Sequence, residues 1–240
     1  MALARTVLYA ALVAGCGRVG FEADVPDSAQ GDAFSARICD RYPQALYCND
    51  FEDGLRDLEL SDGTVTSNGG FGGSVGLSFT AGGMPRVTHE LAQPVESGAF
   101  HVAARGFLEP GAFIGDYLVL AQTTSNVDSK ISFDLVDLDT PQVVNSVNDA
   151  GGQHAATGSF PRGRWFCFEL TIDVSAASDG GVSLSLDEQQ VLTGWQGLST
   201  LPIGGWPRVE LGAFASLANS AVATVTFDNW VVQTSPIGCP

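Results

Sequence analysis

The sequence predicts an all-β chain folded as a two-sheet antiparallel sandwich. Three observations point to it. Segments with an apolar residue at every second position recur from about residue 46 to the end. Turn signals rich in Gly, Pro and Asp separate them. No stretch beyond the first sixteen residues holds an i, i+3, i+4, i+7 pattern for three turns. In order, the segments are GSVGLSF (73–79), RVTHEL (86–91), AFHVAARGF (99–107), DYLVLAQT (116–123), KISFDLV (130–136) and QVVNSV (142–147). WFCFELTIDV (165–174), GVSLSLD (181–187), RVELGAF (208–214) and AVATVTFDNWVV (221–232) follow. Ten or more short strands in about 200 residues suit one sandwich. No linker-like stretch divides residues 38–240, although two smaller β-domains are the alternative.

Composition narrows the partners. Hydrophobic residues make up 45% of the 240, an ordinary globular share, so a disordered chain is excluded as the main form. Charged residues are few and lopsided: Lys+Arg 11 against Asp+Glu 27 gives a net charge of −16. Nucleic acid and anionic lipid headgroups both require a basic footprint, which excludes them as partners.

The chain opens MALARTVLYAALVAGC. One cation, Arg5, precedes an apolar run from Val7 to Ala14 that is too short to span a bilayer but fits the core of a secretory signal. Val13-Ala14-Gly15-Cys16 resembles the bacterial lipobox. That resemblance implies a signal peptide over 1–15, cleavage after Gly15 and acyl chains on Cys16, with an ordinary signal peptide and a chance cysteine as the alternative. Gly17, where sorting rules place Asp for retention, implies the outer membrane of a two-membrane envelope. Residues 16–37 are acidic, small and aperiodic, and read as a flexible tether ahead of a domain over 38–240.

Setting Cys16 aside leaves Cys39, Cys48, Cys167 and Cys239, an even number that suits two disulfides in an exported chain. Three connectivities exist; chain position favours Cys39–Cys48 and Cys167–Cys239. No Cys/His pairs stand at zinc spacing.

A family resemblance lies in the order of several motifs. The body opens Cys48-Asn-Asp-Phe-Glu52-Asp53-Gly54, continues Pro161-Arg-Gly-Arg-Trp165-Phe-Cys167-Phe-Glu169-Leu, then VSLSLDEQQVLTGW, and closes Phe227-Asp228-Asn-Trp-Val-Val ahead of Cys239. This order resembles the concanavalin A-like, laminin G-type jelly rolls of secreted bacterial lipoproteins, over roughly 46–240. One departure is Asp187-Glu188, where such hairpins usually carry Asp-Gly. The resemblance implies a jelly roll but no particular function, since that fold hosts lectins, hydrolases, lyases and adhesion modules. It also implies that the two chain ends meet, so that Glu52, Asp53 and Asp228 could share a structural calcium, a hard cation that takes carboxylate oxygens.

Catalytic signatures are weak. Gly72-Gly73-Ser74-Val75-Gly76 matches G-x-S-x-G, but a nucleophile elbow needs a helix after the serine, and VGLSFTAGG reads as a strand. Glu169-Leu-Thr171-Ile-Asp173 lacks the middle carboxylate of the jelly-roll glycosidase pattern, and its two acids stand about 13 Å apart along a strand. Asp134, Asp137 and Asp139 read as a solvated strand end. Lyases of this fold use His, Tyr, Arg and Gln; His101, Arg105, Tyr117 and Gln122 are the candidates, but strict alternation puts Tyr117 and Gln122 on opposite faces. Gln153-His154 reads as part of a Gly/Ala loop.

The expected function is an envelope-anchored lectin-like module that binds a neutral glycan without catalysis; a structural or protein-interaction jelly roll, with an envelope protein as partner, is the alternative. Alternation places Phe100, Val102, Phe166, Phe168, Leu170 and Ile172 inward, which leaves His101, Arg105 and Glu169 outward as polar ligand candidates. Trp195 in TGWQG and Trp206 in GGWP, both expected in Gly-rich loops, are the stacking candidates.

Overall fold

The computed structural model describes residues 37–61, 65–80, 84–112, 117–125, 128–136, 139–148, 150–214 and 223–240. The signal peptide, the lipidation residue Cys16, the tether up to residue 36 and Asp137 lie outside the described residues. Within them the chain is a sandwich of two antiparallel sheets. One sheet runs β13 (Gln189–Leu198), β12 (Gly180–Leu186), β11 (Trp165–Val174), β6 (Gly98–Leu108), β15 (Thr224–Gln233), β4 (Val75–Thr80), β3 (Val65–Gly69), with β1 (Tyr47–Asn49) also paired to β15. The other runs β10 (Ala150–Ala155), β9 (Thr140–Val147), β8 (Lys130–Val136), β7 (Tyr117–Thr124), β14 (Trp206–Phe214), β5 (Arg86–Val95), β2 (Glu59–Ser61). The sandwich expected from the alternation, and the jelly roll that the resemblance implies, are therefore the fold observed.

Alternation fills the core as the pleat requires. On β6 and β11, Phe100, Val102, Phe166, Phe168, Leu170 and Ile172 are all buried, and the register pairs Phe100 with Ile172 and Val102 with Leu170. Phe133 of β8 meets Phe168 from the facing sheet with ring centroids 5.2 Å apart. Gly106 sits on this inner face opposite Phe166; a Cβ there would stand 2.5 Å from the tip of the Phe166 ring, so the absent side chain leaves the ring its room against β6. The β12–β13 hairpin turns through Asp187 (φ 49°) and Glu188 (φ 63°), both left-handed as a two-residue hairpin turn requires. The departure from Asp-Gly thus costs backbone strain at Glu188 but leaves the topology intact.

Both expected disulfides are present, Cys39–Cys48 and Cys167–Cys239. Two such bonds belong to an exported, extracytoplasmic protein. Among the described residues no helix is long and apolar enough to cross a membrane.

Candidate functional site

The outer face of the seven-stranded sheet is polar across five strands. Gln122 of β7 stands opposite Ser132 of β8 and opposite Glu210 of β14. Glu210 in turn faces Thr88 of β5, and Asp134 of β8 faces Gln142 of β9. An outward sheet row normally keeps its polar groups in water, yet Gln122, Ser132, Asp134, Gln142, Thr88 and Glu210 are all buried. Gln122 and Glu210 line a groove of about 350 Å³, whose walls include Met84, Arg86, Tyr117, Lys130 and Arg208.

Hydrogen bonds fix these groups in place. Gln122 Nε2 donates to Glu210 Oε2 (2.5 Å), and Thr124 Oγ1 donates to Glu210 Oε1 (3.1 Å). Arg86 Nε pairs with the same carboxylate at 3.2 Å, and Arg208 Nε pairs with Glu90 at 3.2 Å. Three partners thus surround the Glu210 carboxylate and fix the orientation of its planar group. Asp134 is different. Burial pushes its carboxyl up to about 6, while Ser132, Gln142 and the charge of Lys130 pull the other way. Asp134 is therefore corrected from a solvated strand end to a buried mid-strand carboxyl; Asp139, just before β9, pairs instead with Arg162.

A β-bulge assembles this face. The register of β7 on β8 shifts between Val119 and Ala121, one extra residue on β7. Beyond the shift the parity inverts, so Tyr117 and Gln122 both line the groove, although strict alternation sets them on opposite faces. His101 and Arg105, the other two lyase-type candidates, belong to β6 in the other sheet, so the four residues are not brought together.

His101, Arg105 and Glu169 do point outward from the eight-stranded sheet, and the last residues of the chain lie on them. Glu169 accepts hydrogen bonds from the backbone amides of Ile237 (2.9 Å) and Gly238 (3.1 Å) and contacts His101 Nδ1 at 2.8 Å. These bonds outweigh burial and hold the Glu169 carboxyl below its usual range. Arg105 Nε donates to the Pro240 carbonyl (2.5 Å), its guanidinium lies 3.9 Å over the Phe71 ring, and burial lowers its pKa. Cys239 is bonded to Cys167 in the middle of the same face. Glu169 and Arg105 thus anchor a C-terminal strap, and His101 braces Glu169.

Neither stacking candidate is in a loop. Trp206 begins β14 and is fully buried, its Nε1 donating to Thr200 O at 2.8 Å. Trp195 lies within β13 opposite Val182, on the core side, and its ring contacts His154 of β10 at 5.6 Å between centroids. It bridges the edges of the two sheets and stands apart from His101 and Glu169. Gln153-His154, read as loop, is in β10.

The three expected calcium ligands are spread over separate partners. Asp53 pairs with Arg37 and Arg56; Glu52 Oε1 accepts from Val75 N at 2.8 Å. Asp228 accepts from Phe71 N (2.9 Å), Ser74 Oγ and Asn229 N (2.7 Å), and burial raises its pKa. Among the described residues no three His, Cys, Asp or Glu side chains converge as metal ligands. Ser74 also donates to Phe71 O (2.7 Å) and precedes strand β4, so G-x-S-x-G here is a loop latch and not a nucleophile elbow.

No protein-family model matches the chain, and no curated protein does. Solved structures do. An endo-β-1,4-glucuronan lyase from the fungus Trichoderma reesei superposes with TM-score 0.59 at 14% identity, covering 80% of this chain and 96% of the lyase. The cellulose-induced protein Cip1 gives TM-score 0.62 at 14% identity over 81% of this chain and 100% of Cip1. A botulinum neurotoxin type C, whose cell entry depends on interaction with two ganglioside molecules, gives TM-score 0.55 at 10% identity over 75% of this chain. This chain spans 44% of that neurotoxin chain. At these identities the likeness is one of fold, the jelly-roll sandwich of the concanavalin A-like type.

Proposed function

We propose that the protein is an exported, envelope-anchored lectin-like module that binds a glycan, without catalysis, in the groove of the seven-stranded sheet. The observation that carries this reading is the polar row Gln122–Glu210–Arg86: a buried amide and a buried carboxylate, cross-braced with a partly exposed guanidinium and bordering a cavity of about 350 Å³. Planar polar groups held rigid in a groove of this size are what recognition of sugar hydroxyls requires. The carbohydrate connections of structurally similar proteins, a glucuronan lyase and a ganglioside-dependent neurotoxin, support a sugar as the ligand class.

The test is a glycan array probed with the full chain, followed by titration of the best ligand. Gln122→Ala and Glu210→Ala should each weaken binding about 10- to 100-fold, the cost of leaving buried polar partners unmatched. His101→Ala distinguishes the two faces: a loss there with Gln122→Ala unchanged moves the site to the eight-stranded sheet. An array with no ligand favours the protein-interaction alternative.

We also propose that Cys16 carries the anchor and that the protein resides at the outer membrane. Cys16→Ser should abolish acyl labelling and release the protein from the membrane fraction; a mutant that stays membrane-bound with unchanged mobility would rule this out.

A further inference from the structure

Charge is distributed unevenly between the groove and the rest of the chain. The sequence holds Lys+Arg 11 against Asp+Glu 27. Among the described residues the groove lining holds Arg86, Lys130 and Arg208 against Asp128 and Glu210, a larger share of cations than in the chain as a whole. Lys130 is also the only lysine in the sequence.

These cations differ in what they can do. Arg86 is committed to Glu210 and Arg208 to Glu90, so each arrives with a carboxylate at 3.2 Å. Lys130 forms no ion pair with a described residue. It begins β8 between Thr124 of β7 and Ser146 of β9, half-buried, on the row that continues to Ser132 and Asp134. The nearby carboxyl that its charge acts upon, Asp134, is itself pushed toward the neutral form by burial. A primary ammonium that lines a groove without an ion pair to a described residue is a site for an anion brought by the ligand. Distant carboxylates do little against this, because their field is screened beyond about 8 Å at physiological ionic strength.

We propose that the glycan taken by the groove carries a carboxylate, as a uronic acid does, and that Lys130 is the specificity-determining residue that pairs with it. This rests on the glycan-binding reading above and refines it: the net charge of the whole chain favours a neutral glycan, and the charge of the site favours an acidic one. The polar row of Gln122, Glu210 and Arg86 serves the hydroxyls that both kinds of sugar share, and Lys130 supplies the discrimination.

The experiment titrates the full chain with two tetrasaccharides of one backbone, β-1,4-linked glucose and β-1,4-linked glucuronic acid, which differ only in oxidation at C6. The acidic tetrasaccharide should bind at least about tenfold more tightly, the margin of one charge-assisted hydrogen bond. Lys130→Met should erase that margin while leaving the neutral affinity in place, and Lys130→Arg should retain most of it. Thermal melts of both variants confirm folding. Equal affinity for the two sugars, or a preference unchanged in Lys130→Met, overturns the assignment and leaves glycan binding standing. Binding of neither tetrasaccharide where the array has returned a ligand overturns the acidic-sugar assignment alone, whereas a blank array overturns the reading on which it rests.

Discussion

Replacing Cys167 and Cys239 together with serine should destabilise the folded chain by about 4 kcal/mol, the chain-entropy cost of opening a loop of this length. The two residues are 72 apart in sequence, against 9 for Cys39 and Cys48, whose removal should cost about 2.5 kcal/mol on the same basis. The long-range bond has a second effect. It pins the strap whose Ile237 and Gly238 amides bind Glu169 and whose Pro240 carbonyl binds Arg105. Without it the strap is held by hydrogen bonds alone, and the His101–Glu169 pair opens to solvent. Urea denaturation under oxidising conditions measures the first effect, and amide exchange at Ile237 and Gly238 measures the second. A double mutant with an unchanged midpoint would show that the strap contributes nothing to stability.

Asp134→Asn should act in the opposite direction. The folded protein binds the Asp134 proton more tightly than the unfolded chain does, with the carboxyl raised from 3.8 to about 6. Its favourable contribution is therefore complete below about pH 4, declines as pH rises, and is gone once the pH passes about 6 and the buried group ionises. Above that pH the wild type carries a penalty on the order of 3 kcal/mol, since each tenfold change in proton affinity between the folded and unfolded chain is worth about 1.4 kcal/mol. Asn keeps the shape of the side chain without the charge. Denaturation midpoints should show the variant more stable than wild type at pH 8 by up to about 3 kcal/mol, with the gap closing toward pH 4. A gap that is the same at pH 4 and pH 8 would mean that Asp134 does not titrate in this window.

The two predictions concern opposite faces of the sandwich, and the sequence makes those faces legible to different degrees. Strands β6, β8 and β11 bury every second residue without interruption, so their bounds and inward faces follow from alternation. The outward direction of His101 and Glu169 follows in the same way. That a strap covers them does not, because residues 234–240 have no periodic pattern and find their place through one disulfide and a few backbone amides. On the other sheet, alternation misleads at β7. The bulge at Val119–Ala121 inverts parity in mid-strand, and it brings Tyr117 and Gln122 to one groove. A bulge inside an apolar run such as LVLA changes no residue type, so only the register reveals it. Alternation misses β10, and only the family resemblance implies β13, for a third reason: both are edge strands, and β13 buries only Leu192 fully among its ten residues. Little apolar alternation is needed where one side has no neighbour. Asp134 is obscured by its company, since an acid near Asp137 and Asp139 looks like a strand end until the pairing with Gln142 is known.

The position of β15 governs the order in which the molecule can be completed. This strand is the last in sequence, yet it lies inside its sheet, with β6 along one side and β4 followed by β1 along the other. Until residues 224–233 are available, β4 and β6 present open edges to each other and the core lacks Val225, Phe227 and Trp230. Pairings between strands so distant in sequence form slowly, because the intervening chain must first be ordered. A chain that emerges from its N-terminus therefore cannot close its larger sheet early. For a protein that crosses a membrane before it folds, this delay keeps the chain extended during transit and defers sealing of the sandwich to the far side, where Cys167 and Cys239 can be oxidised.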